Sequence, residues 1–188
     1  MYMRNVLIAG VLAILSAQGL WSSDAADRSE STHVPEWGRA ATDRDIQPWN
    51  IDIAPTGEGL PSGRGTVKQG AAIFAAQCAS CHGPTGQEGP MDRLVGGIGT
   101  LRDSKPVKTI GSYWPYATTL YDYVHRAMPF SAPQSLSPDE VYSVVAWLLY
   151  QNGIIAEEFV VDARALPEIR MPNRNGFVQD PRPDVRQN

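Results

Sequence analysis

The sequence predicts an all-α fold with an extended arm at each end, and three observations point to it. Residues 67–78, 117–126 and 137–153 each repeat apolar side chains at helical spacing. The stretches between them are rich in glycine and proline and show no periodicity. The alternation at Ile51-Asp52-Ile53 is too brief for more than a short extended piece.

Along the chain, Arg4 and Asn5 precede an apolar run from Val6 to Ala17 and then a small-residue stretch, the order of a secretory signal peptide over residues 1–26. Cleavage after Ala25 or Ala26 fits, with Ser23-Asp24-Ala25 the neater small-x-small match. No twin arginine is present, so the general secretory route is favoured. The alternative is an uncleaved anchor, although Val6 to Trp21 is shorter than the ~20 residues of a spanning helix. Export implies a periplasmic protein, peripheral at most to the membrane. The net charge of −4 is mild, and the absence of a basic stripe argues against nucleic acid.

Residues 27–64 read as a polar N-terminal arm with Pro35, Pro48, Pro55 and Pro61, wrapped on the domain or reaching to a partner. The domain itself covers residues 65–155. Its first helix carries Ala71, Ala72, Ala75 and Ala76, strong helix formers. Gly70 costs that helix ~1 kcal/mol relative to alanine, which a close approach by another helix would offset. Gly70 and Phe74 share a face. Residues 83–109 read as loop. Ala117 to Arg126 reads as a short helix, with Thr119 and Asp122 resembling a capping box, and it ends before Pro129. Ser137, Pro138 and Glu140 form the clearest helix start, and Gly153 is the matching stop. This last helix is expected to pack on the Gly70/Phe74 face through Trp147. The segment 156–188 is proline-punctuated and of mixed charge, with little core-forming capacity. It reads as a solvated tail or a segment that docks on a partner.

Cys78-Ala79-Ser80-Cys81-His82 states the chemistry. C-x-x-C-H is the attachment signature of c-type haem. The two thiols, about one helical turn apart, bond the two vinyl groups, and His82 lies under the iron as axial ligand. The chain has no other cysteine. A zinc site would need more ligands than His33 and His125 supply at their spacing. A redox dithiol would sit in a strand–helix pattern, and a Cys78–Cys81 disulfide would close a very tight loop. Export fits haem attachment, which in bacteria takes place outside the cytoplasmic membrane. The predicted domain is therefore three or more helices around one covalently bound haem c.

The sixth ligand decides the function. Met91, Met128, Met171, His33 and His125 are the candidates. Met128 lies on a proline-stiffened loop between the second and last helices and is the favoured one, with His125 its main rival. A His82/Met128 pair saturates the iron and leaves single-electron transfer as the chemistry.

The order of these motifs over residues 65–155 resembles a class I cytochrome c. That resemblance implies a proline carbonyl accepting from the proximal histidine, and Pro90 is the matching position. Three further stretches, Gly57–Pro61, Thr109–Leu120 and Met171–Phe177, together with Arg126–Phe130, resemble the cytochrome subunit of bacterial sulfane dehydrogenase and are similar to cytochrome partners of sulfite dehydrogenases. The likeness implies a molybdenum-cofactor dehydrogenase subunit as electron donor and a downstream cytochrome c or oxidase as acceptor. It also places Trp114 along the haem edge, against a propionate. Well-known members carry two haem domains, whereas this chain has one attachment motif. A general periplasmic carrier, or a haem enzyme with an open axial site, are the competing functions.

Overall fold

The computed structural model describes residues 38–182, so the expected signal segment and His33 lie outside the described residues. Its helices are α1 (Asp43–Ile46), α2 (Val67–Gln77), α3 (Ala79–His82), α4 (Ile110–Tyr113), α5 (Ala117–Ala127) and α6 (Pro138–Gln151). Two three-residue strands, β1 (Arg64–Thr66) and β2 (Val160–Asp162), pair antiparallel with Gly65 opposite Val161. Single 3₁₀ turns occupy Thr100–Arg102 and Leu166–Glu168. The described residues 41–182 belong to one compact unit.

Helix α6 starts as the sequence predicts. The Ser137 side chain accepts from the Glu140 N–H, while the Glu140 carboxylate takes the Ser137 N–H at 2.8 Å. Every residue from Val141 to Leu149 is buried. A helix that is apolar all round belongs in the middle of a core, and α2, α5, β1 and β2 all pack on it. At its far end Asn152 caps the helix and Gly153 leaves it at φ +67°.

Helix α2 crosses α6 where the sequence places Gly70. A β-carbon on Gly70 would overlap the Ser143 carbonyl and lie 2.8 Å from the Trp147 β-carbon. One turn on, Phe74 stacks on Trp147 with ring centroids 4.0 Å apart. Such a ring pair adds about 1 kcal/mol to what its burial contributes. The N-terminus of α2 is capped by Thr66 and Gln69, a T-x-x-Q box.

One expectation gains a detail and another needs correction. The fold is mostly helical, as expected, and adds a small two-stranded sheet of β1 and β2. The strands are too short for alternation to reveal them, and β1 is shaped by contact: a side chain on Gly65 would strike the α6 backbone at Ser143. The capping box at Thr119 and Asp122 does not form. Helix α5 begins earlier, at Ala117, so that Ala117, Leu120, Tyr121 and Val124 face the core. Asp122 instead accepts the Ile53 N–H at 3.0 Å and pairs with Arg126 at 2.6 Å.

The flanking segments join the same core. Ile53 and Leu60 pack against it, and the Tyr142 hydroxyl donates to the Pro61 carbonyl at 2.9 Å. Beyond the last helix, Val161, Leu166, Ile169 and Met171 are buried. A segment expected to have little core-forming capacity thus supplies four core residues. Further along, Asn173 donates to the Tyr113 carbonyl at 2.7 Å, and Arg174 lies 4.2 Å from the centre of the Tyr116 ring.

Two predictions follow from this packing. Gly70→Ala gains helix propensity but overpacks the crossing, and should destabilise the protein by about 2 kcal/mol or more, read as a lowered thermal midpoint. Burial, with Asp162 as a smaller contributor, pushes the Tyr142 phenol up to about 12. Burial, then Tyr142, then Asp139 lift Tyr121 further still. Both folded-state values lie above the ordinary tyrosine value near 10, so the folded state holds these protons longer than the unfolded chain. Their stabilisation is complete below about pH 10 and is lost as pH rises toward about 12. Denaturant titrations at pH 8 and pH 11 should show a lower midpoint at the higher pH, and Tyr142→Phe should shrink the difference.

Candidate haem site

The attachment segment grows directly out of the core crossing. The Cys78 N–H bonds the Phe74 carbonyl at 2.9 Å and ends α2. The chain then turns at once into α3, where the Cys81 and His82 amides both return to the Cys78 carbonyl, at 3.1 and 3.0 Å. Cys78 is half-buried, Cys81 is exposed, and neither is in a disulfide. Burial, and secondarily the neighbouring Cys81 charge, push the Cys78 thiol up to about 11. A dithiol oxidoreductase needs the opposite, a thiolate formed near neutral pH.

Gly83 stops α3 at φ +79°, and the chain folds back over it. The Met91 N–H reaches the Cys81 carbonyl at 3.0 Å. The same return places the Asp92 carbonyl 2.8 Å from His82 Nδ1. A carbonyl only accepts, so Nδ1 carries the proton and Nε2 keeps its lone pair for a metal. Pro90 is exposed, and the carbonyl that meets the ring lies two residues beyond it. That corrects the expected acceptor. A backbone carbonyl has no residue signature, so nothing in the sequence distinguishes position 92 from position 90.

The axial candidates separate by environment. Met171 is 1% exposed, enclosed in the core, and acts as packing. Met91 is 58% exposed on the loop beside α3. Met128 caps α5, its N–H on the Val124 carbonyl at 3.0 Å, and it is half-buried against the core. His125, one turn earlier, has its Nδ1 buried with no hydrogen-bond partner, as does the Tyr121 hydroxyl. Trp114 follows α4, packs against the core and meets Tyr123 edge-on, with centroids 5.6 Å apart. Cys78, Leu94, Trp114 and Met128 therefore all border the same core cluster.

The loops carrying these groups are anchored by polar contacts that sequence reasoning missed. Asn152 accepts the Gly96 N–H at 3.0 Å and donates to the Leu94 and Leu148 carbonyls. It joins the loop after the attachment site to the end of α6. Thr109 and Ser112 form a further capping box, and their hydroxyls also bond the Gly96 and Val107 carbonyls. The T-x-x-S spacing was the available signal. Asn152 had only its place before Gly153.

The donor set suits one group. Two unpaired thiols stand a helical turn apart, an imidazole has one nitrogen committed and the other free, and a thioether is half-exposed. Cys78 and Cys81 would hold a porphyrin covalently, with His82 and Met128 available to its iron. Among the described residues, no cluster of three or more His, Cys, Asp or Glu could hold a metal ion.

Comparison with known proteins points to the same group. A family profile described as cytochrome c oxidase, cbb3-type, subunit III matches residues 65–148. A chain of the sulfane dehydrogenase SoxCD from Paracoccus pantotrophus shares 47% identity and a TM-score of 0.73. That match covers 78% of this chain and 73% of the other. The chain belongs to the cytochrome c family. Like its relatives, this cytochrome carries a covalently bound c-type haem. A weaker likeness is to thiosulfate dehydrogenase TsdBA from Marichromatium purpuratum, at 23% identity and a TM-score of 0.34 over 56% of this chain and 24% of that one. Against curated proteins no match is found. No helix among the described residues of the cytochrome is long and apolar enough to cross a membrane.

Proposed function

We propose that this cytochrome has the class I fold, is exported to the periplasm, and carries single electrons from a molybdenum-cofactor sulfur dehydrogenase to a downstream cytochrome c or oxidase. The observation that carries this reading is the match to the SoxCD chain at 47% identity over 78% of this chain. That match reaches beyond the stretch 65–148 covered by the family profile, so it extends to the segments flanking the haem domain. The partner's substrate is a sulfane sulfur or sulfite.

The residues divide the work. Cys78 and Cys81 would hold the porphyrin covalently, and His82 Nε2 and the Met128 thioether would be the side chains that bind its iron. The Trp114 indole, with an N–H to offer, lines the propionate edge. When bound, the haem supplies one-electron exchange between ferric and ferrous iron, at a potential raised by thioether ligation. With His82 and Met128 both bound to the iron, substrate would have no place to bind, and the chain would transfer electrons without making or breaking bonds. The one attachment motif in this sequence would hold one haem, and that haem would take the two electrons of a sulfur oxidation one at a time.

Two measurements test this. Met128→Ala should lower the reduction potential, abolish the long-wavelength absorption of thioether-bound ferric haem and admit cyanide; an unchanged spectrum would refute Met128 as ligand. Mixed with a molybdenum sulfur dehydrogenase subunit, the cytochrome should form a stable complex and be reduced on addition of thiosulfate-derived sulfane sulfur or sulfite. Reduction by unrelated donors at the same rate without a complex would instead identify a general carrier.

A further inference from the structure

Loop 83–92 returns the chain to the helix it has just left, and one residue decides how closely. The Met91 N–H sits on the Cys81 carbonyl at 3.0 Å, the Leu94 N–H on the Gly86 carbonyl at 2.8 Å, and His82 Nδ1 lies 2.8 Å from the Asp92 carbonyl. Gly89 lies inside this return. A β-carbon there would fall on the Cys81 carbonyl oxygen and 2.5 Å from the Gly83 nitrogen. Its φ is not left-handed, so glycine is required here for space and not for conformation. The oxygen that such a side chain would strike is the same acceptor that anchors Met91.

We propose that Gly89 is a positioning residue for His82: by leaving room for the loop to close on the Cys81 carbonyl, it sets the bond between His82 and the Asp92 carbonyl and thereby tunes the haem potential. This rests on the ligand role for His82 proposed above. A ring whose Nδ1–H is held by a carbonyl is a more basic ligand at Nε2. A more basic ligand stabilises ferric over ferrous iron and lowers the potential. Bulk at position 89 lifts the loop, lengthens the His82–Asp92 bond, and raises the potential. The second attachment cysteine and the axial histidine are thus set by a single peptide, since the Cys81 carbonyl belongs to the bond preceding His82.

The test uses the haem-loaded protein with labelled histidine, following the midpoint potential and the exchange of the His82 Nδ1–H in the reduced state. In the wild type that proton should exchange slowly. Gly89→Ala should speed its exchange about tenfold, the loss of roughly one hydrogen bond, and shift the potential upward. Met91→Pro, which deletes the donor to Cys81 without adding bulk at 89, should move both readings in the same direction, while Met91→Leu should match the wild type. Fast exchange in the wild type overturns the proposal, and so does an unmoved potential in Gly89→Ala. If neither Gly89→Ala nor Met91→Pro accumulates, wild-type exchange decides, slow upholding the clamp and fast refuting it. Ring nitrogens without the paramagnetic shift of an iron ligand in the oxidised protein would defeat the ligand role itself; a normal shift with an unmoved potential defeats the Gly89 role alone.

Discussion

The backbone of α6 at Ser143 is approached from two directions, by Gly65 of β1 and by Gly70 of α2, and at neither is there space for a β-carbon. The attachment segment takes its position from this contact. It brings Phe74 onto Trp147, and the Phe74 carbonyl in turn receives the Cys78 N–H. The first attachment cysteine is therefore one hydrogen bond away from a ring stacked in the core. Packing at this density transmits small displacements, so a methyl group at position 70 would be felt at position 78.

Much of this was legible in the sequence because the signals were local and redundant. Gly70 within an alanine-rich helix, Phe74 four residues on and Trp147 in a capped apolar helix give a crossing that periodicity and glycine placement can find. The C-x-x-C-H motif is likewise self-contained. The expectations that failed depended on partners distant in sequence. Asp122 looks like a capping residue beside Thr119, but Ile53 and Arg126 compete for its carboxylate and win. Val161, Leu166 and Met171 stand among prolines and charges, a composition that argues for solvent, yet each falls on a core position once β2 pairs with β1. The acceptor for His82 is a backbone atom, which carries no side-chain code.

The polar anchors have a different logic from the core. Asn152 is 7% exposed and bonds groups some 56 and 58 residues earlier in the chain. A buried amide left without these partners would cost on the order of 1–3 kcal/mol, so the loop at 94–96 and the end of α6 constrain each other. The Arg126 pairs with Asp52 and Asp122 are more exposed, and pairs of that kind contribute little to stability. Their effect is registry, holding the stretch around Asp52 beside α5 just before the chain reaches Met128.

These two kinds of constraint act together on the segments that carry His82 and Met128. His82 is held through α3 and its return loop, which hang from the end of α2. Met128 is held at the end of α5, which also packs on α6. The pairing of β1 with β2 ties the segment before α2 to the segment after α6, so the ends of the crossing helices away from the site are joined as well. Under the ligand roles proposed above, side chains carried on elements packed into one core would change little in geometry when the charge on the metal changes, and such preorganisation suits electron transfer better than catalysis that must admit a substrate. Two side chains on loops near these segments are exposed, Met91 at 58% and Phe130 at 83%, and the Met91 N–H still anchors its loop on the Cys81 carbonyl. The backbone at position 91 thus belongs to the frame that holds His82, while its side chain faces solvent.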